Sequence, residues 1–234
     1  MIERAWFIGV LLLVSGVASA ADCVVLLHGL ARTAMSMNPM QRALAAEGFE
    51  TANIDYPSRE YSVEELAEIA IPKGLDACRS ISGVERIHFV AHSLGGILLR
   101  QYLSQNGIAE LGRVVMLGPP NQGSAAVDKL RDWPGFDWLN GPAGLQLGKG
   151  EQSVPLKLGP ATFELGVIAG NRTIDPITSA VLDNPDDGRV SVADTRLEGM
   201  TDFVEVEHSH AFMMRMREPI ELTVRFLRSG TFSE

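Results

Sequence analysis

The chain has 234 residues, 46% of them hydrophobic, with 20 Lys and Arg against 29 Asp and Glu and a formal net charge of −9. This length and apolar content are enough for one domain with a sizeable core. The negative charge and the absence of any cluster of Lys or Arg argue against nucleic acid or an anionic membrane surface as a partner.

The amino-terminal segment has the pattern of a leader that is removed on export. Residues 1–4 carry the positive end with the amino terminus and Arg4, and they precede an apolar run over 5–14 and a small-residue cleavage site that ends at Ala20. The run is shorter than the ~20 residues that span a bilayer, so it favours a signal peptide over 1–20 rather than a stable membrane anchor. We therefore expect a periplasmic or secreted protein with a single domain over 21–234.

The two cysteines predict a disulfide between Cys23 and Cys78, because an exported chain folds in an oxidising compartment. This bond would join the start of the first predicted strand to the end of the second predicted helix. Two unpaired thiols are the alternative, and two cysteines alone do not make a metal site.

Short apolar runs alternate with segments of helical periodicity along the rest of the chain. The predicted strands are 23–28, 49–54, 86–91, 113–118, 165–169 and 203–206, and the predicted helices are 37–47, 62–79, 94–105 and 210–228. This alternation is typical of an α/β fold, a mostly parallel sheet of about six strands with right-handed crossovers and helices on both faces. In such sheets ligands bind at the carboxyl ends of the strands.

The run from Ile87 to Leu99 predicts a strand, a sharp turn and a helix, with Ser93 at the apex. In the G-x-S-x-G nucleophile elbow, small residues two positions before and after the serine let strand and helix approach closely. Here Ala91 replaces the first glycine and Gly95 keeps the second. Ser93 is therefore the candidate nucleophile, and an ordinary helix N-cap is the alternative.

A long segment, 119–160, has no strand pattern and is dense in Gly, Pro and aromatic residues. It is too long for a simple connection, and it holds two of the three tryptophans, whereas linkers are poor in aromatic residues. We predict a small cap over the Ser93 site. Its aromatic and apolar side chains either line a substrate pocket or pack a core of the cap itself. These side chains are Trp133, Phe136, Trp138 and Leu139.

A serine hydroxyl needs a base, and histidine is the side chain that changes charge near neutral pH. Of five histidines, His88 lies inside a strand, His92 is expected to point away across the turn, and His28 begins a His-Gly-Leu run that suits an oxyanion loop. The other two, His208 and His210, follow the last predicted strand. We predict His210 as the base because it lies past the strand end, with His208 as the second choice.

The base needs an orienting carboxylate, which should follow the strand at 165–169 in the chain order Ser, acid, His. The candidates are Asp175, Asp183, Asp186 and Asp187. Asp187 is preferred because it precedes Gly188 and can lie on a tight turn. Asp186 is the second choice, and Asp175 the third because its position before a proline is typical of a helix N-cap.

An oxyanion needs two backbone donors. The N–H of Leu94 follows the nucleophile at the amino end of a helix, where the dipole also helps. The N–H of Leu30 follows the first strand, and Gly29 lets that backbone come close. A plain strand-ending turn is the alternative for this second loop.

Six short motifs fall in one order along the chain: Leu27–Arg32, Ala91–Gly96, Leu117–Ser124, Val167–Gly170, Asp186–Val192 and Ser209–Met214. Together they resemble the lipase and esterase branch of the bacterial α/β-hydrolases, a branch similar to the deacylase of GPI anchors. By that match Ser93 is implied as nucleophile, Asp187 as acid and His210 as base, with Leu30 and Leu94 as oxyanion donors. The family commonly has two further strands ahead of the first, and the lack of room for them here implies a minimal sheet.

The resemblance implies an exported serine hydrolase that cleaves carboxylic esters, with a small-molecule ester or lipid as substrate and no cofactor. No acidic pair follows His210 to match the calcium site of some related lipases, so no metal is expected. The same groups would serve an acyltransferase, a thioesterase or an amidase, because a fold does not choose among these reactions. A non-catalytic module that binds lipid or a partner is the alternative from a different class.

Overall fold

The computed structural model describes residues 21–234, so the predicted signal peptide lies outside the described residues. One six-stranded sheet with the order β2-β1-β3-β4-β5-β6 forms the centre of the fold, and every neighbouring pair is parallel. The strands are β1 Ala21–Leu27, β2 Glu50–Ile54, β3 Val84–His92, β4 Leu111–Leu117, β5 Leu165–Gly170 and β6 Asp202–Val206. The predicted α/β class, strand number and parallel arrangement are confirmed.

The helices connect these strands. They are α1 Asn38–Ala46, α2 Val63–Arg79, α3 Leu94–Leu103, α4 Ala125–Leu130, α5 Phe136–Leu145, α6 Pro176–Ser179, α7 Val192–Thr195 and α8 Arg217–Ser229. Local signals fix several ends. A capping box between Ser62 and Glu65 begins α2, and Gly230 in the left-handed region, with φ of 81°, ends α8.

The start of the last helix was predicted wrongly. The sequence pattern gave 210–228, whereas α8 begins at Arg217 and residues 213–215 form only a short 3-10 turn. The physical reason is that the backbone of His210 bonds to other segments. Its N–H donates to the carbonyl oxygen of Asp187, and its carbonyl oxygen accepts from His92. The carbonyl oxygen is therefore not available for a helical ladder, and Met216, with ψ of 146°, is extended rather than helical.

Both faces of the sheet are buried. Along β1, Val25 and Leu27 pack into the cluster formed with α2 and α3, while Val24 and Leu26 pack into the cluster formed with α1 and α8. This alternation explains why the strand is apolar throughout, as expected for a parallel sheet covered by helices on two sides.

Cys23 of β1 and Cys78 of α2 form a disulfide across 55 positions of sequence, in the pairing expected from the sequence. Both residues are fully buried. The bond lies at the amino-end edge of the sheet, because Cys23 is near the start of β1. It is therefore at the edge opposite to the carboxyl ends of the strands.

The 119–160 segment contains α4 and α5 and no strand. Arg100 of α3, only 5% exposed, attaches both ends of this segment to the sheet domain. Its guanidinium donates to the main-chain and side-chain oxygens of Asn121 (both 3.1 Å) and to the carbonyl oxygens of Pro155 (3.1 Å) and Gly159 (2.9 Å). Within residues 21–234, no helix has the length and apolarity needed to cross a membrane.

Candidate active site

Ser93 lies in the turn between β3 and α3, at the carboxyl end of a central strand. Its backbone has φ 54° and ψ −120°, a conformation that is strained for any residue with a side chain. The Ser93 N–H donates to the carbonyl oxygen of Leu117 at the end of β4 (2.9 Å). A Cβ at Gly95 would lie 2.8 Å from the Leu27 Cβ, so glycine is required where α3 approaches β1. The expected strand, turn and helix are therefore present around Ser93.

A cavity of about 670 Å³ opens at this edge of the sheet, and both Ser93 and His210 line it. Within residues 21–234, no hydrogen bond joins the Ser93 Oγ to His210. Such contacts are often long in enzymes without substrate and tighten in the complex.

His210 is held by Asp187 through both side chain and backbone. The His210 Nδ1 lies 2.7 Å from the Asp187 Oδ2, and the His210 N–H donates to the Asp187 carbonyl oxygen (2.9 Å). The Asp187 Oδ1 accepts from the N–H groups of Arg189 (2.9 Å) and Val190 (2.8 Å). Because the carboxylate is 1% exposed and accepts three donors, it fixes Nδ1 as the protonated nitrogen and leaves Nε2 to accept a proton.

The other candidate acids are engaged elsewhere. Asp186 accepts from the Ser179 hydroxyl (2.6 Å) and the Gly188 N–H (2.7 Å). Asp175 caps α6 by accepting from the Thr178 N–H (3.1 Å), as its position before a proline predicted. Among the described residues, no three His, Cys, Asp or Glu side chains are grouped so that they could hold a metal ion.

His92 does not point away from the site, and that expectation is wrong. Its Nε2–H donates to the His210 carbonyl oxygen (3.0 Å), and the two rings lie 4.7 Å apart between centroids. Burial, followed by the positive charges of His210 and Arg32, holds the pKa of His92 well below its usual value. A neutral His92 therefore anchors the loop that carries His210. The competing late histidine, His208, instead pairs with Glu218 at 3.1 Å.

The remaining two histidines are buried in the sheet region. The His28 Nδ1–H donates to the Gly29 carbonyl oxygen (2.8 Å), and its ring stacks on Tyr56 at 3.9 Å. The His88 Nδ1 accepts from the Arg113 N–H (2.7 Å). Burial is the main cause that lowers the pKa of both rings. Neither is placed to act as the base.

The two expected oxyanion donors belong to the residue after Ser93 and to the loop that follows β1. Leu94 is the first residue of α3, so its N–H has no partner inside the helix, and Leu30 lines the cavity. Within the described part of the chain, neither N–H donates to another backbone carbonyl outside the regular elements. A Cβ at Gly29 would lie 2.6 Å from the His92 Nδ1 and 3.2 Å from the Ser93 Cβ, so only glycine lets this loop approach the turn.

Three of the four candidate pocket residues line the cavity, namely Trp133, Phe136 and Leu139. Trp138 does not, and it is 79% exposed. The reason is helical periodicity, because Phe136 and Leu139 are three positions apart on one face of α5, while Trp138 projects from another.

Two cationic residues at the cavity were not identified from the sequence. Arg32 and Arg189 both line it, and Arg32 donates to the carbonyl oxygen of Ala211 (3.1 Å). Arg189 pairs with Asp175 at 3.3 Å. Arg32 belongs to the motif after the first strand, but its place beside residue 211 depends on contact between segments that are 179 positions apart.

A family model described as "Alpha/beta hydrolase family" matches residues 24–218. The mature form of the lipase BlEst2 of Bacillus licheniformis is 21% identical with a TM-score of 0.68, over 91% of this chain and 93% of that one. A Pyrococcus furiosus esterase is 17% identical with a TM-score of 0.66, over 90% and 82%.

The phospholipase PlaB from Legionella pneumophila is 17% identical with a TM-score of 0.71, over 91% of this chain and 61% of that one. The chain therefore spans about three fifths of the length of that phospholipase. No curated protein matches the sequence. At these identities the solved structures show a shared fold.

Proposed function

We propose, since the chain belongs to the Alpha/beta hydrolase family, that it is a serine hydrolase that cleaves carboxylic esters through an acyl-enzyme. The observation that carries this proposal is the 2.7 Å hydrogen bond between the His210 Nδ1 and the buried Asp187 Oδ2, at the edge of a cavity that Ser93 also lines. A pair of this kind prepares an imidazole to accept a proton from a serine hydroxyl.

In the first half of the reaction, the Ser93 Oγ attacks the ester carbonyl carbon while the His210 Nε2 takes the hydroxyl proton. Asp187 stabilises the resulting imidazolium. The N–H groups of Leu30 and Leu94 donate to the oxyanion of the tetrahedral intermediate. When this intermediate collapses, the bond to the alcohol oxygen breaks and His210 returns the proton to the leaving alcohol.

In the second half, His210 takes a proton from water, and the water oxygen attacks the acyl carbon on Ser93. Collapse of the second tetrahedral intermediate releases the carboxylic acid and returns the proton to the Ser93 oxygen. The reaction therefore consumes one water molecule and needs no further reagent.

The lining of the cavity supports an ester with an apolar acyl part. Leu130, Trp133, Phe136 and Leu139 supply an apolar wall from the 119–160 segment. Burial of an acyl chain against such a wall contributes about 25 cal/mol per Å² of apolar surface. We propose that this segment acts as the cap of the site, fixed at both ends by Arg100.

An exported location is part of the same proposal. The leader pattern over 1–20 and the disulfide between Cys23 and Cys78 support it, because disulfides persist in oxidising compartments. Cell fractionation of the native producer, with an antibody against the chain, tests this location directly.

The activity is tested with p-nitrophenyl esters of increasing acyl length and the Ser93→Ala variant. We expect turnover by the wild-type protein, loss of that turnover in the variant, and covalent labelling of the wild-type protein alone by a fluorophosphonate probe. Equal turnover by both proteins, or a probe that labels neither, would contradict the proposal. Circular dichroism of both proteins confirms that the variant is folded.

A further inference from the structure

The cavity has two chemically different walls. The 119–160 segment contributes mostly apolar side chains, while the charged side chains in the lining are Arg32, Arg189 and Asp175. The cavity therefore has an excess of positive charge in a chain whose net charge is −9. A positively charged site attracts anions and repels cations.

Arg32 lies in the cavity lining without a carboxylate partner among the residues that the structure describes. Within residues 21–234, Arg32 makes no ion pair, and its guanidinium donates only to the carbonyl oxygen of Ala211. Arg215, which follows in the same loop and is exposed, also makes no ion pair within the described part of the chain. The carboxylate of Asp175, the one acidic side chain that the described residues place in the lining, pairs with Arg189 and not with Arg32.

Arg32 carries its charge in a partly buried position, in the same cavity lining as Arg189. Burial, followed by the positive charges of Arg215 and Arg189, lowers the pKa of Arg32 below its usual value. Repulsion among these groups raises the free energy of the unliganded site, and a bound anion relieves it.

The position of Arg32 indicates which part of a substrate it meets. Its guanidinium is bonded to residue 211, directly after His210. In the proposed mechanism His210 gives its proton to the leaving alcohol, so the alcohol part of the ester lies beside the His210 loop. The acyl part is then left to the apolar wall that contains Trp133 and Phe136.

We infer that the preferred substrates are esters whose alcohol part carries a phosphate group, which Arg32 and Arg189 hold beside the His210 loop. This inference rests on the proposed function. A phosphate offers several acceptor oxygens to more than one guanidinium fork, and arginine binds such groups through paired hydrogen bonds. The substrate class is therefore an amphiphile with an apolar acyl chain and an anionic head.

The experiment compares two soluble substrates with the same short acyl chain, a 1-acylglycerol 3-phosphate and the uncharged 1-monoacylglycerol, by release of the carboxylic acid. For the full-length wild-type protein at low salt we expect kcat/KM to be about tenfold or more higher for the phosphate ester, because hydrogen bonds between guanidinium groups and a phosphate are stronger than those to neutral oxygens. The ratio should fall as salt is added.

Three variants test the assignment. Arg32→Gln and Arg189→Gln should each reduce the ratio of the two kcat/KM values severalfold toward one, because both side chains line the cavity. The Arg189 side chain bonds to Asp175 and Thr178 rather than to residue 211, so its variant remains informative if loss of the Arg32 bond to Ala211 disturbs the loop. The control Arg79→Gln removes the same charge from a surface pair with Glu110 at the far end of α2 and should keep the wild-type ratio.

Equal kcat/KM for the two wild-type substrates, or a ratio that both cavity variants leave unchanged, would overturn the inference. A third substrate places a carboxylate on the acyl side, as the p-nitrophenyl monoester of a dicarboxylic acid. A preference for this substrate over its uncharged analogue as large as that for the phosphate ester would overturn the placement on the alcohol side. Failure of the proposed function is a separate result, in which no ester is cleaved and no probe labels Ser93.

Discussion

The Nε2 of His92 lies 3.0 Å from the carbonyl oxygen of His210, so the residue before the proposed nucleophile holds the backbone of the proposed base. Asp187 holds the same residue from the other side through its N–H and its ring. The His210 loop is thus attached at three points to elements that carry the other proposed catalytic groups. Preorganisation of this kind keeps the reacting atoms near the productive geometry.

Asp187→Asn should reduce kcat for p-nitrophenyl butyrate by about 10³-fold or more, because an amide does not stabilise the imidazolium and favours the wrong tautomer. Asp186→Asn is the matched control, since Asp186 is also buried but bonds to Ser179 and Gly188. We expect the control to keep kcat within about tenfold of the wild-type value, which corresponds to a change of at most about 1.4 kcal/mol in activation free energy. Similar losses in the two variants would argue against Asp187 as the acid.

His92→Ala removes the hydrogen bond that positions His210. Loss of one such bond, about 1–1.5 kcal/mol, should lower kcat roughly tenfold and leave KM little changed. Steady-state kinetics with p-nitrophenyl butyrate measures kcat and KM separately. His208→Ala removes only the partly exposed pair with Glu218 and should leave both constants near wild type. A change confined to KM would refute the positioning role.

Stability should fall as the solution is acidified below about pH 6.5. Burial is the first cause that lowers the pKa of His28, His88 and His92 below the usual 6.5 in the folded protein. The unfolded chain therefore binds more protons than the folded one as pH drops, and the free energy of unfolding decreases. Urea unfolding at pH 7.5 and pH 5.5 measures the difference. A free energy of unfolding that is the same at both values would show that these rings titrate normally.

Removal of the disulfide should destabilise the fold without altering catalysis. Loss of a bond that closes 55 positions of chain costs roughly 4 kcal/mol on the loop-entropy estimate. Cys23→Ala combined with Cys78→Ala should lower the denaturant midpoint accordingly, while kcat below the unfolding transition stays near wild type because the bond lies at the opposite edge of the sheet. A large drop in kcat with unchanged stability would reverse this assignment.

Gly118→Ala should separate the proposed acid from the base. Gly118 has φ of 56°, and a Cβ there would lie 2.9 Å from the Asp187 Oδ2 and 3.0 Å from the His210 Nδ1. We expect kcat to fall by about tenfold to a hundredfold, in proportion to ~1.4–2.7 kcal/mol of lost transition-state stabilisation. Gly48→Ala, at an open position with φ of 88°, is the matched control for backbone strain without crowding. Equal kinetics in the two variants would contradict the crowding argument.

The sequence predicted the sheet well because its signals are local. Apolar runs define the six strands, and the run around Ser93 changes from strand to helix within a few residues. The order of preference among the acids also came from a local feature, the turn at Gly188, and the structure bonds Asp187 rather than Asp186 to His210. The catalytic roles of these residues stay predictions.

Features that depend on contact between distant segments were missed. The His92 bond to His210 spans 118 positions and the Arg32 bond to Ala211 spans 179, and periodicity carries no information at that range. The early start assigned to the last helix has the same origin. Trp138 is a different case, because the phase of α5 alone turns it away from the cavity.

The guanidinium of Arg100 belongs to the helix that follows Ser93, yet all its acceptors belong to the two ends of the 119–160 excursion. Burial lowers its pKa to about 10, so the guanidinium remains charged at any physiological pH and its hydrogen bonds are not lost by deprotonation. Because both ends of the 119–160 segment are fixed, a change in the shape of the cavity wall is expected in the middle of this segment, around α4 and α5. Substrate range can diversify there by substitution while the sheet and the serine turn stay untouched.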